Sequence, residues 1–164
     1  MSGFVNPNQP NLPDFLDFLS TSVQIPSVAL PDDSPFPGYA LAQAIELVLQ
    51  PPSPWTRSPP SGGILYTLAV YNCATHILFV ITPDQEGQTY FATMRGPAPG
   101  GFNLNAPSSG IVVSSSDNGS AATLAQPTWG AGLTVTQLGF FKTPWGREYL
   151  GFIQSYGPSI VGLT

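Results

Sequence analysis

The stretch SGGILYTLAVYNCATHILFVIT, residues 61–82, decides the fold. It carries no charged residue, and no other run in the chain stays apolar for so long. At helical spacing Leu65, Leu68, Ala69, Asn72, Cys73, His76, Ile77 and Val80 share one face. Tyr66, Val70, Ala74, Leu78 and Ile81 make a second apolar stripe, so little of the circumference is polar. A helix of this kind sits either in the centre of a domain or in a membrane. A membrane span takes about 20 apolar residues, so length alone leaves both open. Thr67, Asn72, Thr75 and His76 interrupt the run and favour a buried central helix. Ser61 is the expected N-cap, and Pro83 the stop.

Working outward towards the N-terminus, Ser34-Pro35 reads as an N-cap followed by proline at the first helical position. The helix it opens runs to about Gln50, with Leu41, Ala44, Ile45, Val48 and Leu49 facing inward, before Pro51 and Pro52 end it. Asp14 to Ser22 reads as a short helix with two carboxylates, Asp14 and Asp17, placed to favour its dipole. Residues 1–13 read as an extended arm, held down, if at all, by a neighbouring molecule.

On the C-terminal side, TYFATMRG is a short helix or strand, and residues 96–109 form a loop. Asn118-Gly119 marks a hairpin tip within residues 110–126, pairing Val113 with Leu124 and Ser115 with Ala122. An isolated pair of strands is marginal in water, so this hairpin is expected to gain order against another subunit. A short turn, VTQLGFFK, follows, with Thr134 as its expected cap. Thr143-Pro144 opens a last helix, TPWGREYLGFIQSY, whose apolar side is Trp145, Tyr149, Phe152 and Ile153. These elements predict a single domain over residues 1–164, mainly α: a small helical bundle around one central helix. Its core spans residues 14–82 and its closing helix and tail residues 133–164, with a protruding β-hairpin and long Pro/Gly-rich arms and loops.

Composition narrows the function classes. Charged residues make up only 8% of 164, about a third of the usual share, beside 19 Pro and 17 Gly. A surface so poor in charge is expected to be covered by other subunits. The formal charge is −5, and Arg57, Arg95, Lys142 and Arg147 are too few and scattered to neutralise a run of phosphates. Cys73 stands alone, so no internal disulfide forms, and the first residues lack the pattern of a signal peptide. Cys73 and His76 lie one helical turn apart, but a zinc site would need further ligands, and a catalytic pair would need exposure. The expected role of His76 is a satisfied core histidine. No nucleophile elbow, dinucleotide fingerprint or Walker loop is present, and nothing in the sequence supports an enzyme or a cofactor.

The run K-T-P-W-G-R-E-Y-L at residues 142–150, after a Ser-rich hairpin, resembles the close of tailed-bacteriophage head-to-tail adaptor proteins of the neck. These often end in a helix of the form T-P-[aromatic]-G-x-x-Y-L, with Tyr commoner where Trp145 stands here. The resemblance is specific over roughly the last fifty residues and general, in helix order, from Asp14 to Ile81, while the Pro-rich arm and the loop at residues 96–109 have no counterpart in it. It implies a ring of about a dozen copies beneath the portal protein, closed by head-to-tail contacts. Such a ring extends the DNA channel without specific DNA binding, joins the next neck or tail protein, and is a virion component assembled in the host cytoplasm, with no membrane partner.

By this reading Lys142, Thr143, Pro144, Trp145, Arg147 and Tyr149, with Ile160, Val161 and Leu163 of the apolar tail, dock on the portal or a neighbour. Val113, Asp117, Asn118, Gly119 and Leu124 of the hairpin contact the adjoining subunit. Two other readings stay open: a capsid decoration or cement protein and, more distantly, a small enzyme using Cys73.

Overall fold

The computed structural model describes residues 4–50, 63–104, 111–116, 121–125 and 135–156. Among them the chain is mainly α-helical. In order come α1 (Leu12–Phe18) with a π turn (Leu19–Val23), α2 (Phe36–Val48), α3 (Ile64–Ile81) and α4 (Tyr90–Arg95). Strands β1 (Ile111–Ser116) and β2 (Ala121–Ala125), then α5 (Val135–Phe140) and α6 (Pro144–Tyr156), complete the set.

The central helix is α3. Between Tyr66 and Phe79 every residue but Leu68 is buried, so both predicted stripes lie inside the fold. By length and composition α3 could cross a membrane, yet 72% of it is covered within the fold, chiefly by α2 and α6. Each fully buried large apolar side chain, such as Phe79 or Leu78, contributes about 2 kcal/mol. Two of the polar interruptions are satisfied along the helix: Asn72 Nδ2 donates to the Leu68 carbonyl (2.9 Å) and Thr75 Oγ1 to that of Tyr71 (2.8 Å), whereas the buried Thr67 hydroxyl finds no partner among the described residues. Gly63 is the N-cap residue; the expected cap, Ser61, lies outside the described residues. At the other end Thr82, preceding Pro83, turns extended, as a residue before proline should.

The N-terminal arm is held by its own chain, which corrects the expectation of a neighbour. Phe4 packs edge-on against Tyr71 at 5.4 Å, and the Val5 and Asn6 amides donate to the two Asp14 oxygens (2.9 and 2.8 Å). The Tyr71 hydroxyl bridges the Asn11 amide and carbonyl, both at 3.2 Å. Helix α1 therefore starts earlier than predicted. Asn11 caps it by accepting from the Asp14 amide (3.0 Å), and Gln24, in the left-handed region, ends the π turn.

A second correction concerns α2. Ser34 gives no side-chain cap, and its buried hydroxyl finds no partner among the described residues, because Pro35 already has helical angles. The inward face is Pro37, Ala40, Leu41, Ala44 and Val48, with Ile45 and Leu49 half-buried and the helix ending at Val48 rather than Gln50.

Beyond Pro83 the sequence YFATMR is helical. The Asp84 carboxylate accepts from the Phe91 and Ala92 amides (2.6 and 2.9 Å) and so caps α4. From the end of α4, Arg95 Nη1 donates to the Thr82 carbonyl at 2.7 Å and reaches those of Phe79 and Val80 at 3.4 Å, which covers the C-terminus of α3. The following chain doubles back, with the Phe102 amide on Met94 (2.7 Å) and the Leu104 amide on Arg95 (2.8 Å). Strands β1 and β2 pair antiparallel with Ser115 opposite Ala122 as expected. Val112 rather than Val113 faces Leu124, because an irregularity between Val112 and Ser114 leaves Val113 unpaired. The tip with Asp117, Asn118 and Gly119, and the cap residue Thr134, lie outside the described residues.

Candidate functional site

Of the residues singled out by the sequence, Thr143, Trp145, Tyr149 and His76 meet where α5, the start of α6 and the C-terminal half of α3 come together. Thr143 is fully buried and is the N-cap of α6: its Oγ1 accepts from the Gly146 amide (3.0 Å), and Pro144 occupies the first helical position. The same oxygen lies 2.8 Å from His76 Nδ1. One hydroxyl thus ties the start of α6 to the middle of α3.

The neighbouring side chains complete that joint. Trp145 stacks flat on Phe79 (4.8 Å, 4°) and meets the edge of Phe102 at 5.5 Å. Tyr149 is buried against Phe140 (4.9 Å), and Phe140 packs on the His76 ring at 4.5 Å. Gly146 permits this approach, since a Cβ there would run into the Phe140 carbonyl. Lys142 Nζ donates to the Leu104 carbonyl, which anchors the loop after α4, and Arg147 Nη1 donates to the Phe141 carbonyl at 2.9 Å.

The geometry divides the predicted docking residues. Thr143 and Tyr149 face the chain's own core and Trp145 is half-buried there, so none of the three offers a free docking surface. Of the named residues on α6, Pro144 and Arg147 are exposed. Ile160, Val161 and Leu163 lie outside the described residues, as do the side chains of Val113 and Leu124.

Cys73 and His76 do not form a reactive pair. Burial pushes the Cys73 thiol well above its ordinary range, and burial lowers His76 to about 4, so both are neutral near pH 7. Burial, then the nearby Cys73, raises the Tyr149 phenol. His76 is the satisfied core histidine the sequence led one to expect, with Thr143 as its partner. Among the described residues no cluster of three His, Cys, Asp or Glu side chains could hold a metal ion.

Two constellations escaped sequence reasoning. One is the Asp14 clasp on the arm: burial raises its carboxyl, but bonds from Asn6, Asn11 and Val5 outweigh that and hold it below its ordinary value. The spacing of Asn11 and Asp14, a cap residue followed three positions on by an acid, is the signal that could have located it. The other is Arg95 on the end of α3, which no local pattern announces.

The exposed apolar residues of α3 are at its ends: Ile64 (48%) and Leu65 (36%), then Val80 (50%) and Ile81 (37%). Val28 and Tyr39 are also more than half exposed. No protein-family model matches this chain, and neither a curated protein nor a solved structure is similar enough to count as a match.

Proposed function

We propose that this chain is a head-to-tail adaptor of a tailed bacteriophage, a structural virion protein whose copies ring the channel beneath the portal. The observation that carries the reading is the run K-T-P-W-G-R-E-Y-L, placed after a paired strand segment and a short helix, in the order the resemblance implies. The composition supports it. With four basic and nine acidic residues in 164, and large apolar side chains exposed on α2 and at both ends of α3, the subunit is suited to being covered by copies of itself.

In this reading the core closes on α3, and contact with other proteins falls to what that closure leaves over. Pro144 and Arg147 with the tail residues Ile160, Val161 and Leu163 meet the portal. The hairpin with Asn118-Gly119 at its tip protrudes to an adjoining subunit or the next ring. A net charge of −5 suits a wall that DNA passes without binding. Deleting residues 159–164 is expected to give DNA-filled heads that do not join tails, scored by electron microscopy of infected-cell lysates. Normal infectious particles from that deletion would contradict the docking assignment.

A further inference from the structure

We propose that the His76–Thr143 contact is an acid-sensitive latch: protonation of the imidazole releases the first turn of α6 from α3 while the body formed by α1, α2 and α3 stays folded. In the latch the Thr143 oxygen accepts from the Gly146 amide and gives its one proton to His76 Nδ1. This assigns the neutral ring with its own proton on Nε2. A second ring proton, on Nδ1, would take away the acceptor of that hydroxyl proton and reverse the 2.8 Å contact, with the ring as donor. The hydroxyl would then have to turn its proton into fully buried surroundings. The added positive charge would also stand at the N-terminus of α6, the positive end of the helix dipole.

Among the described residues nothing around the ring offsets that charge. On α3 the adjoining titratable group is the Cys73 thiol, and on α6 the Tyr149 phenol; both are held neutral by burial. From α5 the ring is faced by the uncharged Phe140. Lys142 and Arg147, beside Thr143 in the chain, are themselves cationic and bond to the Leu104 and Phe141 carbonyls. Glu148 is exposed, and among the described residues no carboxylate forms an ion pair with His76. The consequence is local, because α6 is held further along by Leu150 and Ile153, and α1 and α2 make none of the contacts described for His76. The part that lets go is the turn carrying Trp145 off Phe79.

The test uses the full chain with Trp55→Phe and Trp129→Phe, which leaves Trp145 as the one indole reporter. Its emission is followed beside far-UV circular dichroism as the pH is lowered. Expected is a reversible red shift of Trp145 with its midpoint between pH 6.5 and 4, with most of the helical signal retained. His76→Asn, which keeps an acceptor near the place of Nδ1 and does not titrate, is expected to be flat over that window. The same acid transition in His76→Asn, or loss of the helical signal together with the Trp145 shift, would overturn the latch. Should His76→Asn fail to fold, proton NMR of the parent's single histidine decides. A ring titration coincident with the Trp145 transition supports the latch, and a different midpoint refutes it.

Discussion

Two segments are fastened to α3, one at Tyr71 and one at His76, and the two joints differ in what they ask of a proton. At Tyr71 the arm and α1 surround a phenol with Phe4, Phe15 and Phe18, and the fastening depends on Asp14 staying ionised. At His76 the start of α6 surrounds an imidazole with Phe140 and Tyr149, and the fastening depends on the ring staying neutral. Both joints combine an aromatic cluster, which supplies area, with one polar atom of α3, which sets register. Acid opposes both, through opposite charges and in different windows.

The strongest way to break the comparison is steric. Gly146→Ala would force a Cβ into the Phe140 carbonyl, a backbone atom that cannot rotate away. It is expected to cost about 3 kcal/mol or more in urea denaturation, with the Tyr71 joint untouched.

Next in size is pH. The His76 value falls from 6.5 unfolded to about 4 folded, so its contribution is complete above 6.5, declines as the pH drops, and is gone below 4. The total is about 3 kcal/mol, read as the fall in unfolding free energy across that window. Asp14, depressed below 3.8, contributes stability that is present above 3.8 and lost only as the pH falls through its lower folded value. A single acid transition lying wholly below 3.8 would remove the distinction between the joints.

Smaller effects sharpen it. Thr143→Val removes the cap of α6 and leaves His76 Nδ1 without its hydrogen-bond partner, a loss of about 2 kcal/mol in the same denaturation series. Tyr71→Phe keeps the ring contacts and loses only the two bonds to Asn11, about 1 kcal/mol. Asp14→Asn should loosen residues 4–10 selectively, since an amide cannot accept from both the Val5 and Asn6 amides through two oxygens. Limited proteolysis is expected to cut the arm faster in this variant while the core resists.

The sequence made α3 and α6 legible because their signals are local: a long uncharged, largely apolar run ended by Pro83, and a Thr-Pro start whose cap forms as read. The same logic misread Ser34-Pro35, where the Pro35 backbone is already helical and the serine hydroxyl is turned inside. Residues 142–150 stood out as a site from their motif, yet Thr143, Trp145 and Tyr149 face the core. Whether a motif residue points at its own core or at a partner depends on what α3 presents to it, and that is set across distant sequence. Arg95 on the end of α3 and the fold-back of Phe4 onto Tyr71 are tertiary for the same reason. The strand register missed by one residue because an unpaired Val113 leaves no mark in a run of Val and Ser.

Counting this chain against the major capsid protein in purified virions, by quantitative mass spectrometry, tests the adaptor reading most directly. About a dozen copies per particle, retained on tail-less filled heads, is the predicted result for a cyclic neck ring. Hundreds of copies would make it a decoration of the shell, and absence from particles would contradict a virion role altogether.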